Sequence, residues 1–323
     1  MASNVTGMGT TFNLPNYAGQ LYTASPTKTP FLSMIGGLTG GMQTENDEFP
    51  TGVLYEFPEA TQPEISETAS TTAPTGGELV KSQQTNVTQI FHEAIEITYA
   101  RLANRGKLSG LNTAGAQPEQ PNEEDFQIAR KLEKIARDVE FTFLNGKYQK
   151  ASSAGQANKT RGMIELCSTG TTVAAANAPL SLDLLGQLYR KMANAGAIFG
   201  NMVLLANAEQ KQRLTSLYEK QLGYNSPAQR NVGGMSITQI ENDFFQMGVA
   251  YDPFMPVDTI LIVDLAACAP VFQAVPGKGV LFLEELAKTG AANRKQIYGE
   301  IGLAHGPSFL HGTLTGLDYE GRE

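Results

Sequence analysis

The sequence predicts an α+β fold in which some parts find nothing in their own chain to pack against. Three observations point there. One long helix, about residues 122–145, carries a single apolar stripe. From about residue 180, helices alternate with apolar strand-like runs. Ahead of both lie a short apolar arm and a long polar-tipped hairpin, neither with a core of its own.

A chain of 323 residues can form two subdomains with real cores or one large domain. Charged residues are 17% of it, against about 25% in typical globular chains. Gly, Ala, Thr, Ser and Asn fill the difference, and such a weakly charged polar surface suits contact with other protein. The net charge of −8 gives no basic footprint for sequence-specific nucleic-acid binding. No run of about 18 apolar residues exists, so no membrane span is expected. MASNVTGMGTTFNLP lacks the basic head and apolar core of a secretory signal. The N-x-T sequons at Asn4, Asn86 and Asn158 then carry no glycosylation message. Cys167 and Cys268 stand far apart, which is no disulfide framework and fits a reducing cytoplasm.

Residues 1–37 form an arm without a period. In TASPTKTPFLSMIG, Pro26 and Pro30 stiffen the approach to FLSMI, and Gly36 and Gly37 end the run. The run is too short for an amphipathic helix, so an extended arm is expected. Its Phe31, Leu32, Met34 and Ile35 need a surface to press on. Burying four such side chains contributes on the order of 6 to 10 kcal/mol before ordering entropy.

Residues 47–57, DEFPTGVLYEF, place Phe49, Val53, Tyr55 and Phe57 at alternate positions, which predicts a strand. Residues 58–85 are polar, with three prolines and a Gly-Gly pair, and would be disordered alone. Their large aliphatic residues are Ile65, Leu79 and Val80. The run 87–100, VTQIFHEAIEITYA, alternates again at Ile95, Ile97 and Tyr99. Two long strands joined by a polar tip describe an extended hairpin.

Asn122 is placed to cap the long helix, whose first turn holds Glu123, Glu124 and Asp125 at the positive dipole end. Ile128, Leu132, Ile135, Val139 and Phe143 make one stripe. Glu133 and Arg137 can pair on the other side, and Asn145-Gly146 offers a left-handed stop. Further on, Ser181 caps a helix with Leu185, Leu188 and Met192 inward, ending at Gly196. MVLLA (202–206) reads as a buried strand, and Asn207 caps a helix carrying Leu214, Leu217 and Tyr218. SITQI, FFQMGVAY, TILIVDL, VLFLEEL and SFLHGTLTGL read as strands. No fixed-period repeat is present.

Catalytic signatures are missing. No Gly-Lys pair is followed by Ser or Thr, so there is no phosphate loop, and there is no G-x-S-x-G elbow. Pro276-Gly277-Lys278-Gly279 reads as a turn. His92-Glu93 lacks the second histidine of a zinc helix. His305 and His311 each precede glycine and read as surface or strand-edge residues, with no carboxylate in ligand spacing. Glu284 and Glu285, adjacent in a strand, point to opposite faces. Asp264 closes an apolar strand, where α/β enzymes place catalytic groups, but it also suits an ordinary turn acceptor. No catalytic residue, cofactor or metal is assigned.

The order of parts, with the stretch NLPNYAGQLYTASPTKTPFLSMIGGLTGG, resembles the major capsid proteins of tailed bacteriophages (Caudoviricetes). The likeness is to the group of the coliphage SU10 head protein. It continues through the long helix, RGMIE (161–165) and YDPFMPVDTILIVDL (251–265). The resemblance implies the Hong Kong 97-like (Johnson) fold. Residues 1–37 would be the N-arm and 38–100 the extended E-loop with its flanking strands. Residues 101–174 would be the P-domain with the spine helix, 175–275 the A-domain, and 276–323 the return to the P-domain.

It also implies the partners. The chain would join copies of itself in hexamers and pentamers of an icosahedral shell around double-stranded DNA. Phe31, Leu32, Met34 and Ile35 of the arm and Ile65, Leu79 and Val80 of the E-loop would be inter-subunit contacts. The stripe from Ile128 to Phe143 would be spine-helix core. A portal protein and, given the few residues ahead of the E-loop, a separate scaffolding protein are expected. A decoration protein is an optional addition, and packaged DNA would be met without sequence recognition. The shell would be assembled in the host cytoplasm and end in the virion. Some relatives cross-link an E-loop lysine. Lys81 is the only one at this tip, and no cross-link is expected. The alternative is a stand-alone cytoplasmic α/β binding or enzyme domain with its site near Asp264, His305 and His311.

Overall fold

The computed structural model describes residues 23, 25–74, 76–100, 123–168, 170–222, 229–232, 235–242 and 244–319. The long helix, α2, runs Glu123–Asn145. The Asn122 cap lies outside the described residues. Of the stripe, Ile135, Val139 and Phe143 are fully buried and Ile128 and Leu132 partly so, on the same core. Two local expectations fail. Glu133 pairs with Arg130 at 2.7 Å, while Arg137 lies over the Phe254 ring at 5.9 Å. Gly146 is not left-handed. It is small because a Cβ there would stand 2.4 Å from the Thr142 carbonyl and 2.7 Å from that of Thr160.

A five-stranded sheet lies against this helix. It is built on β13 (Ala292–Ala304), the longest strand. One edge of β13 pairs antiparallel with β4 (Gln89–Thr98). The other is shared by β12 (Leu281–Glu285) and β11 (Ala269–Gln273), which takes β1 (Met42–Thr44) in parallel. Phe91, Ile95 and Ile97 of β4 and Ile297 and Ile301 of β13 face the helix. The sequence did not announce β13, because ANRKQIYGE puts five polar or charged side chains among its first nine residues.

A seven-stranded sheet follows the order β5 (Thr172–Ala174), β14 (Gly312–Thr315), β10 (Ile260–Asp264), β6 (Met202–Ala206), β9 (Gln246–Tyr251), β8 (Met235–Glu241), β7 (Gln229–Val232). The central strands β6 and β10 are buried along their whole length. Their side chains alternate between two cores. Val203, Leu205, Leu261 and Val263 join the core of α2. Met202, Leu204, Ile260 and Ile262 join the core of α4 (Leu182–Asn194) and α5 (Ala208–Leu222). Burial on both faces explains the unbroken apolar runs MVLLA and ILIV. Ser181 caps α4 as expected, its side chain accepting from Leu184 N–H at 3.3 Å. Asn207 likewise accepts from Glu209 N–H at 2.9 Å.

The sheets cut across the expected boundaries. β11, inside 175–275, belongs to the five-stranded sheet, and β14, inside 276–323, belongs to the seven-stranded one. SFLHGTLTGL begins as a 3-10 turn, Ser308–Leu310, before β14. No helix among the described residues is long and apolar enough to cross a membrane.

Candidate functional site

The hairpin is shorter at its base than expected. β2 (Glu48–Tyr55) pairs with β3 (Lys81–Val87), not with the run 87–100, which is β4 of the five-stranded sheet. The polar stretch KSQQTN therefore supplies the second strand. A strand needs an apolar alternation only where one face is buried, and most of this hairpin has no buried face.

Its base is locked into the subunit. The Phe49 ring is buried against β13, where a Cβ on Gly302 would stand 2.6 Å from it. The buried Asn86 amide donates to the Leu303 carbonyl at 2.8 Å and accepts from Arg161 N–H at 2.8 Å. Thr88 donates to the Gln273 side chain at 2.9 Å, and Lys150 pairs with Glu48. Beyond this anchor the apolar side chains stand in solvent. Val53 is 58% exposed, Phe57 71%, Ile65 71%, Leu79 47% and Val80 82%. Tyr55, also exposed, meets Phe57 edge to face at 5.4 Å. A rigid base and an uncovered apolar tip make a lever shaped to lie on another molecule. Ile65, Leu79 and Val80 were picked out by sequence. Val53, Tyr55 and Phe57 were visible only as a strand pattern.

The arm departs from expectation. Pro30–Met34 forms a single helical turn, α1, with proline at its first position. Phe31, Leu32 and Ile35 are buried in the chain's own core with α2, and Met34 is half-buried beside them. Three of the four side chains are thus already covered within one subunit. The turn is held by Glu140 of α2, whose carboxylate accepts from Phe31 N–H and Leu32 N–H at 2.7 and 2.6 Å. Nothing in the sequence flagged Glu140. It reads as one more polar helix position, yet it is fully buried. Its neighbour is the buried Asp252, carboxyl against carboxyl. Burial first, then the Asp252 charge, holds Glu140 well above the ordinary carboxylate range. Asp252 Oδ1 accepts from Phe254 N–H at 2.8 Å. Among the described residues Oδ2 takes no donor, and one proton shared by the pair would satisfy both.

Asp264, His305 and His311 do come together, but as scaffolding. The histidines are fully buried, not at a surface or strand edge as expected. His311 Nδ1 accepts from Asp264 N–H at 3.2 Å, and Nε2 donates to the His305 carbonyl at 2.6 Å. His305 Nδ1 donates to the Gly306 carbonyl at 2.7 Å. Asp264 accepts from Ala266 N–H at 3.0 Å, the turn role expected of it. Burial pushes both imidazoles down to about 4. Cys167 and Cys268 are buried and free, with burial raising the Cys167 thiol to about 12. Among the described residues no group of three or more His, Cys, Asp or Glu is arranged to hold a metal.

The SU10 major capsid protein model matches residues 4–318. The chain belongs to that family. No curated protein matches it by sequence. Solved structures do share its fold. The cyanophage A-1(L) capsid subunit is 10% identical, with a TM-score of 0.63 over 93% of this chain and 96% of that one. The encapsulin of the holo-SrpI complex from Synechococcus elongatus PCC 7942 is 13% identical, with a TM-score of 0.59 over 96% and 94%. The capsid subunit of the native GTA particle is 14% identical, with a TM-score of 0.54 over 94% and 93%. A mixed α+β, Hong Kong 97-like fold is thus common to this SU10-family capsid protein, phage heads and an encapsulin. α2, the β2–β3 hairpin and the turn at Phe31 lie in the segments expected as spine helix, E-loop and N-arm.

Proposed function

We propose that this chain is the shell subunit of a tailed-phage head. It joins copies of itself in hexamers and pentamers of a closed icosahedral shell around double-stranded DNA. Assembly takes place in the host cytoplasm with a portal and a separate scaffolding protein. Its role is structural, with no catalysis. The observation that carries the reading is the E-loop: its base is locked by Phe49, Asn86 and Thr88, while Val53, Tyr55, Phe57, Ile65, Leu79 and Val80 are left uncovered. These residues, with Met34 of the arm, are the contacts to neighbouring subunits. The likeness to shells built on the same fold supports this.

Negative-stain microscopy of the expressed chain, alone and with its scaffolding partner, tests the proposal. Hexamers or shells are expected. A chain that stays monomeric at high concentration under both conditions would overturn it.

A further inference from the structure

We infer that the acidic E-loop tip of one copy docks on a basic loop, residues 146–162, of a second copy. This rests on the shell reading above and names the receiving surface. The two segments are opposite and one-sided in charge. Residues 56–80 hold Glu56, Glu59, Glu64, Glu67 and Glu78 with no Lys or Arg, and residues 146–162 hold Lys147, Lys150, Lys159 and Arg161 with no Asp or Glu. All five glutamates are exposed, and among the described residues none has a basic partner. Lys147, Lys150 and Lys159 are exposed too. Lys150 meets Glu48, while Lys147 and Lys159 face no carboxylate among the described residues.

The basic loop is preformed. Gln149 and Lys159 exchange backbone hydrogen bonds of 3.1 and 2.8 Å, and Gly162 N–H donates to the Gly146 carbonyl at 3.0 Å. Arg161 lies 4.4 Å over the Tyr148 ring. A receptor held in place loses little freedom on binding.

A chain cannot satisfy its own charges this way. The loop sits at the hairpin base, joined by Lys150 to Glu48 and by Asn158 to Asp47. β2 then runs from Glu48 away to Tyr55, roughly 23 Å at about 3.3 Å per residue, before the first tip carboxylate. The tip carboxylates meet no basic side chain of their own chain among the described residues, so the loop we assign to them is that of another copy. Tip on loop is a head-to-tail contact, and head-to-tail contacts form a ring where the rotation between copies closes. Exposed ion pairs are weak singly and screened by salt, but a ring repeats them in every subunit.

The test is a charge exchange in the full chain. One variant carries Glu64→Lys and Glu67→Lys, a second Lys147→Glu and Lys159→Glu, and a third all four. Each change is on an exposed side chain, and circular dichroism melting checks that the subunits remain folded. The two-site variants should lose shells under conditions where the native chain forms them, and the four-site variant should regain them. Native-like shells from both two-site variants would overturn the inference, as would a four-site variant no better than its parents. So would a loop variant with intact shells that fail only to retain DNA, which would assign the loop to the packaged polyanion. Failure of the native chain to form shells would instead strike the shell reading itself.

Discussion

The Glu140 carboxylate accepts the backbone N–H of Leu32 at 2.6 Å and, through its other oxygen, that of Phe31 at 2.7 Å. These are first-turn amides of α1, which no helical carbonyl can reach. Pro30 ahead of them has no N–H to satisfy. One α2 side chain thus joins the arm to the body and places Phe31 and Leu32 in the core. Leaving these two buried donors without an acceptor would cost more than one ordinary hydrogen bond contributes.

Glu140→Ala should therefore destabilise the subunit by about 2 to 5 kcal/mol, since it leaves two buried donors unmet and a void. Glu140→Gln should cost less, keeping one acceptor but turning an amide N–H₂ toward the second donor. Urea unfolding of the two variants checks the order. Equal stability of Glu140→Ala and the native chain would show that the arm is not held here.

Asp252→Asn mimics the state in which the carboxyl pair carries its shared proton. The asparagine amide can donate to Glu140 while its oxygen still accepts from Phe254 N–H. In the native chain burial raises both carboxyls. The folded protein then holds a proton that the unfolded chain gives up above the ordinary carboxylate range. That contribution is full at low pH and lost as pH rises through the pair's folded value. Asp252→Asn should match the native chain at pH 5 and exceed it by about 1 to 2 kcal/mol at pH 8. A loss of stability at pH 8 would rule out the shared proton.

The histidine pair works in the opposite direction. His305 and His311 titrate near 4 when folded, against about 6.5 in an unfolded chain. The unfolded state binds more protons in that window. The stability of the neutral pair is present above about 6.5 and lost as pH falls toward 4, on the order of 2 to 3 kcal/mol per ring. Measuring the urea midpoint between pH 7 and pH 4 in the Asp252→Asn background separates this slope from that of the carboxyls. A flat profile would contradict the burial of the two rings.

Within α2 the stripe grades in depth. Ile135 is 1% exposed, whereas Leu132 is only partly buried. Ile135→Ala should cost about 2 to 5 kcal/mol and Leu132→Ala less. Thermal melting of the two variants checks the ranking, and a reversed order would mean that the helix is rotated about its axis.

Sequence revealed what is periodic and one-sided. The Ile128–Phe143 stripe, the Ser181 and Asn207 caps and the twice-buried MVLLA and ILIV runs all carry local signals strong enough to place an element. It hid what depends on distant partners. β13 is polar because one of its faces meets solvent and its place is set by backbone pairing with three other strands. KSQQTN gave no strand signal because its first residues stand in solvent and its one buried side chain, Asn86, is polar. Glu140 and the two histidines look like surface residues until the arm and the turn after β10 are folded onto them. The Phe31 turn was missed because its five residues cannot make a helix alone. It forms because Glu140 supplies acceptors that five residues of backbone cannot.

The E-loop tip provides the separation of folding from assembly. Beyond Tyr55 and before Lys81 its large apolar side chains, Phe57, Ile65, Leu79 and Val80, are exposed, and none joins a core of the subunit. The anchoring contacts of Phe49, Asn86 and Thr88 all lie below it. Replacing residues 60–78 with a short Gly-Ser turn should therefore leave the β2–β3 base, both cores and the melting temperature nearly unchanged. The truncated subunit keeps Leu79, Val80 and the strand pairing from Tyr55 to Lys81, but loses Ile65 and three of the five tip glutamates. Each copy would then lose only a modest contact, because ordering the tip offsets most of what docking gains. A closed shell multiplies that loss over every subunit. Assembly with scaffold should yield broken or salt-sensitive shells from subunits that melt like the native chain. If the subunit unfolds early, the tip belongs to its core. If the shells match native ones in salt resistance, the tip is not a contact between subunits.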